Sequence, residues 1–133
     1  MAPRQLTVDG KIYRWQVSHR HSATSKGHSA TGCRELFTAF LSGETTSPLH
    51  IWFSAGPTTG AGYPSHGSVY VWGEWSCNLH RPAVAAAVIR AAIATGWVPD
   101  MQRNPLKIED GFSFLRKHLA PELLEALVAR QEP

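Results

Sequence analysis

The chain has 133 residues, of which 43% are hydrophobic and 17% charged, and a net charge of +3 at pH 7. That length suits a single domain over residues 1–133 with a real core, and that composition excludes a disordered polyelectrolyte. It also argues against a membrane protein: the longest apolar run, Ala83–Ala94, is interrupted by Arg90 and falls short of the roughly 20 residues of a spanning helix.

The first residues, MAPRQLTVDG, contain no apolar leader, so a cytoplasmic location is expected, with Cys33 and Cys77 as thiols. A disulfide between them is the alternative for an exported chain. The charge is uneven. Residues 1–34 hold six basic side chains against one acidic, whereas the remainder is slightly acidic. A basic end on a near-neutral body suits an anionic partner, although a solvated hairpin also carries such charges.

LTVDGKIYRWQV reads as a hairpin, because Asp9-Gly10 tolerates the positive φ of a two-residue turn. Pairing across it sets Val8 opposite Lys11, Thr7 opposite Ile12 and Leu6 opposite Tyr13. Alternation then places Leu6, Val8, Tyr13, Trp15 and Val17 on a core face, with Arg14, Gln16, Ser18 and Arg20 on a wet, basic one. HSATSKGHSATGC, residues 21–33, follows as a loop without apolar period. CRELFTAFL fits a helical stripe through Leu36, Phe37, Phe40 and Leu41 as well as an alternating strand. The strong strand LHIWFSA beyond GETTSP favours the strand. GPTTGAGYPSHG reads as loop, and SVYVWGEW as one strand with Val69, Val71 and Trp75 on one side, Tyr70 and Trp72 on the other.

Pro82 and the alanine-rich run after it predict a helix over 82–95, ended by Gly96, with Trp97 folding back on its last turn. LKIED and GFSFL read either as a short hairpin or as a strand leading into a helix. PELLEALVAR reads as a closing amphipathic helix with Leu123, Leu124, Leu127 and Val128 inward. The expected fold class is α+β, with an antiparallel sheet of four or five strands near residues 4–8, 11–19, 34–42, 48–55 and 68–75. The alanine-rich helix should pack on one face, with a short C-terminal helix beside it.

The chemistry-bearing residues form two sets. His19, His21, His28 and Cys33 are types that ligate zinc, nickel or copper, and His-x-His points both imidazoles to one side of a strand. Their spacing matches no zinc signature, and loop histidines more often stay solvated, so neither a cofactor nor a structural metal is expected. Cys77 and His80 make a looser pair. No serine elbow, Walker loop or dinucleotide glycine pattern occurs, and Glu74 between Trp72 and Trp75 reads as a solvent-facing carboxylate. Catalysis is therefore not expected.

The second set is aromatic and basic. Five tryptophans are many for this length. Trp52, Tyr70 and Trp72 fall opposite the apolar strand positions, unless a helix covers each sheet face. Exposed aromatics beside Arg14, Arg20, Lys26 and Arg34 serve protein interfaces as anchors and nucleic acids as stacking platforms. A non-catalytic protein that binds another macromolecule, immunity-like or accessory in role, is the leading expectation. A protein partner ranks first and nucleic acid second.

YRWQVSHRH and NLHRPAVAAAVIRAAIATGWVPD together resemble small uncharacterised bacterial proteins that pair a Tyr-Arg-Trp strand with an Arg-Pro-initiated helix ending in Gly-Trp-x-Pro. The matching residues are Tyr13, Arg14, Trp15, Arg81, Pro82, Gly96, Trp97 and Pro99, within residues 10–115. The resemblance implies a strand over residues 34–41 and carries no activity. HSATSKGHSATGC lies outside the shared pattern.

Overall fold

Asp9 and Gly10 adopt positive φ angles of 50° and 83°. They close a tight turn between β1 (Arg4–Val8) and β2 (Lys11–His21). The computed structural model describes residues 3–21, 33–43, 47–61, 67–100 and 105–126. The pairs Val8–Lys11, Thr7–Ile12 and Leu6–Tyr13 form as expected. Val8, Tyr13, Trp15 and Val17 are buried, while Arg14 and Arg20 on the opposite side are exposed.

CRELFTAFL is a strand, β3 (Cys33–Leu41), antiparallel to β2 over nine residue pairs and to β4 (Leu49–Ser54) on its other side. Phe37 and Ala39 are buried between Trp15 and Val17 on one flank and Leu49 and Ile51 on the other. Cross-strand partners on both sides outweigh the helical spacing of the same residues. Beyond β4 come β5 (Thr59–Ala61), β6 (Ser68–Val71), β7 (Trp75–Asn78) and the helix α1 (Pro82–Ala94). The chain then forms β8 (Leu106–Ile108), α2 (Gly111–His118), a 3-10 turn at Pro121–Leu123 and β9 (Glu125–Ala126).

Two sheets result. β1-β2-β3-β4-β8 is five-stranded, with β8 parallel to β4, and β5-β6-β7-β9 is four-stranded. Four expectations are corrected here. The single strand expected over residues 68–75 is a hairpin, because Gly73 takes φ 78° and the chain reverses so that Val71 faces Trp75. It joins the second sheet, and β8 takes the fifth place in the first, parallel to β4, so the expected antiparallel sheet is a mixed one. GPTTGAGYPSHG contains a short strand, β5, paired with β6. The closing helix expected from PELLEALVAR is absent over Pro121–Ala126, where a 3-10 turn leads into β9 against β7. Its remaining residues, Leu127 and Val128 included, lie outside the described residues. The second helix lies earlier, at α2, where Asp110 caps it by accepting from the Ser113 amide at 3.2 Å.

α1 follows its sequence signals. Pro82 occupies the first turn, Gly96 turns the chain at φ 123°, and the Trp97 amide donates to the Ala92 carbonyl. Val84, Ala85, Val88, Ile89 and Ala92 are buried, whereas Ile93 is exposed. Trp97 is buried against Tyr13 and donates its indole N–H to the Ser47 carbonyl at 3.0 Å. Both helices and the strands β5, β6 and β7 send buried side chains into one apolar cluster on the Trp15 side of the first sheet.

α2 approaches β4 at Gly111, where a Cβ would meet the Phe53 ring at about 2.5 Å. Phe112 then meets Phe53 edge-on, with ring centres 5.3 Å apart. Gly111→Ala should cost about 1–3 kcal/mol of stability through overpacking, read as a lower urea midpoint with unchanged slope. An unchanged midpoint would mean that α2 sits loosely on β4.

Candidate functional site

Alternation along the first sheet gathers a second set of residues on the side away from the apolar cluster. Register places Arg14 beside Phe40, Gln16 beside Thr38, Ser18 beside Leu36 and Arg20 beside Arg34. It also sets Leu36 beside Trp52, Thr38 beside His50 and His50 beside Lys107. Among the described residues, no strand position on this face carries a carboxylate. Arg14, Arg20 and Lys107 are exposed, Arg34, Phe40, His50 and Trp52 half-buried, and Leu36 buried.

Arg34 is held near the end of this surface, one residue from the start of β3. Its guanidinium lies 3.9 Å from the centre of the Trp52 ring. Its Nε donates to Ser54 Oγ at 3.2 Å, and Nη2 stands 3.8 Å from the Glu109 carboxylate at the end of β8. The Glu109 contact is solvent-exposed and contributes little. Arg20, directly opposite, brings a second positive charge to the same rung. Like charges in direct register destabilise a sheet by up to about 1 kcal/mol.

The expected binding residues therefore divide. Arg14, Arg20, Arg34 and Trp52 share one surface, joined by Phe40, His50 and Lys107, which sequence reasoning did not single out. Parity with Arg34 along β3 and with Trp52 along β4 is the signal that would have found Phe40 and His50, whereas Lys107 joins them only through the pairing of β8 with β4. Tyr70 and Trp72 lie elsewhere, in an edge-on pair 4.6 Å apart at the β6–β7 hairpin. Tyr70 is buried and packs over Gly60, while Trp72 is 55% exposed. Glu74 in the same turn is exposed and ion-pairs with Arg116 of α2 at 3.4 Å.

The histidine set also divides. His19 lies on the core side of β2, where its Nδ1 bonds the Glu35 carboxylate. Glu35 is fully buried and also accepts from the Gly67 amide at 3.3 Å, so it ties the first sheet to the start of β6. His21 and Cys33 are register partners at the far end of β2 and β3. The connection between those strands, with Lys26 and His28, lies outside the described residues. Among the described residues, no group of three or more His, Cys, Asp or Glu is placed to hold a metal ion. Cys77 is a buried thiol in the core.

A cavity of about 380 Å³ opens between the end of β4 and α2, lined by Ser54, Thr59, Trp75, Asp110, Phe112 and Arg116 among others. The indole N–H of Trp75 is buried and finds no acceptor among the described residues. Among the described residues, no helix is long and apolar enough to cross a membrane. Comparison with family models, curated proteins and solved structures finds no match to this chain. The site itself is thus the ground for a functional reading.

Burial lowers the His50 pKa below its ordinary 6.5, and Lys107 beside it lowers it further. The unfolded chain takes up this proton first as pH falls through 6.5, so the folded state loses stability there until His50 protonates in turn. His50→Gln should remove that part of the acid sensitivity. Urea midpoints at about pH 7 and about pH 5 should lie closer together for the variant than for the natural chain. Equal differences in the two proteins would refute the assignment.

Proposed function

We propose that the protein is a non-catalytic, single-domain nucleic-acid-binding protein and that the open face of its five-stranded sheet is the binding surface. The observation that carries this reading is the pairing of Arg20 with Arg34 on a face without strand carboxylates. Two arginines on one rung, with only the exposed Glu109 beside Arg34, give this face a positive potential that a polyanion lying across it would satisfy. Arg14 and Lys107 extend the charge to either side, and Trp52 and Phe40 offer apolar rings among the cations. A protein partner anchored on Trp72 is the second reading, favoured by that ring's exposure beside Tyr70 at the β6–β7 turn.

Fluorescence anisotropy with labelled oligonucleotides tests the first reading. Three or four phosphate contacts predict that affinity falls about twenty- to fiftyfold between about 50 and 200 mM salt. Absence of binding at the lower salt would eliminate it. Arg20→Glu separates binding from folding, because it places a carboxylate opposite Arg34. It should raise stability by about 0.2–1 kcal/mol and weaken oligonucleotide binding at least about tenfold. A destabilised protein with undiminished binding would contradict the role given to that rung.

A further inference from the structure

We infer that the ligand of this face is an unpaired strand that runs along β3, with its bases on two arginine–aromatic stations. The inference rests on the nucleic-acid reading and narrows it. One station is Arg34 stacked on Trp52. The other is Phe40, whose register partner on β2 is Arg14. Each combines a half-buried ring with a cation able to meet a phosphate. Trp52 stands beside Leu36, four residues along β3 from Phe40, so about 14 Å separates the stations. An unstacked strand covers that span in about two nucleotide steps, whereas a stacked strand advances only about 3.4 Å along its axis per nucleotide.

Base pairing decides between single strand and duplex. The rings are set into a sheet surface and present faces and edges to whatever lies flat on it. Duplex bases stack on one another and expose only groove edges, whereas unpaired bases have free faces for aromatic rings or guanidinium planes. Arg34 already lies on Trp52, so a base arriving there stacks on the guanidinium and extends the pile. Among the described residues, the elements packed on the sheet lie on its other side, so none projects from this face to enter a groove. Thr38 and Gln16, between the stations, offer polar contacts to sugar and phosphate, which suits weak sequence preference.

The test is a length series of oligothymidylate and oligouridylate, from two to about eight nucleotides, with a hairpin duplex of matched charge, at low salt. Affinity should rise steeply up to about four nucleotides and then more gently, and the longer single strands should bind at least about fivefold more tightly than the duplex. Comparison of the two sugars distinguishes DNA from RNA as the source of the strand. Phe40→Leu should weaken the six-nucleotide strand at least about fivefold and leave the two-nucleotide one nearly unchanged, with thermal melts confirming that the variant folds. Because the length series uses the natural chain, a poorly folded variant does not remove the test. Equal affinity for duplex and single strand, or a smooth dependence on charge alone with Phe40→Leu silent, would overturn this inference and leave the nucleic-acid reading standing. No binding to any of these probes would overturn both.

Discussion

The nine-pair ladder between β2 and β3 is the constraint on which the rest of the molecule depends. Strand side chains alternate, so the same ladder that buries Trp15, Val17, Phe37 and Ala39 also collects Arg14, Arg20, Arg34 and Phe40 on the other side. A slip of β2 by one residue would turn Trp15 and Val17 to water and drive Arg14 and Arg20 into the apolar cluster. Neither outcome is tolerable, and the register is correspondingly well specified. The Asp9-Gly10 turn fixes β1 against β2, and pairing of β3 with β4 brings Trp52 beside Leu36.

A second constraint acts at the polar end of the core. Glu35 occupies a core position of β3 and is fully buried, an arrangement that is costly unless the carboxylate is satisfied. His19 across the ladder and the Gly67 amide provide its partners, and the latter belongs to the segment that opens β6. The pair therefore links the two sheets through polar contacts whose geometry admits few alternatives. Its value is in orientation more than in net stability, because desolvation offsets much of the attraction within a buried pair.

Local signals explain why some of this was legible in the sequence and some was not. Asp9-Gly10 between alternating runs is a strong turn signature, and the hairpin, its register and its two faces all follow from it. Pro82, the alanines, Gly96 and Trp97 likewise contain the limits of α1. Gly73 lacks a partner such as Asn or Asp, so SVYVWGEW looks like one alternating strand until its positive φ is seen. β8 and β9 have three and two residues and exist only because β4 and β7 offer them an edge. PELLEALVAR has helical spacing, yet pairing with β7 prevails where its first residues are described. For the site, the arginines and Trp52 stood out by type and Phe40 and His50 share their parity, whereas Lys107 needed knowledge of which strands are neighbours. Glu35 was overlooked for the same reason: nothing in CRELF says that its carboxylate faces a histidine sixteen residues away.

The basic face sets stability against binding. Arg20 and Arg34 oppose each other without a strand carboxylate between them, and burial and Lys107 hold the His50 pKa below its ordinary value. A surface selected only for folding would intersperse acidic groups among these cations. The tryptophans report on this face directly, because Trp52 lies on it, Trp72 lies at the β6–β7 turn, and Trp15, Trp75 and Trp97 are buried. The decisive measurement is a titration of the five indole N–H resonances with a short single-stranded oligonucleotide. The Trp52 signal should shift progressively while the other four stay in place. Movement of the Trp72 signal with Trp52 unmoved would contradict the account and transfer the binding site to the β6–β7 hairpin.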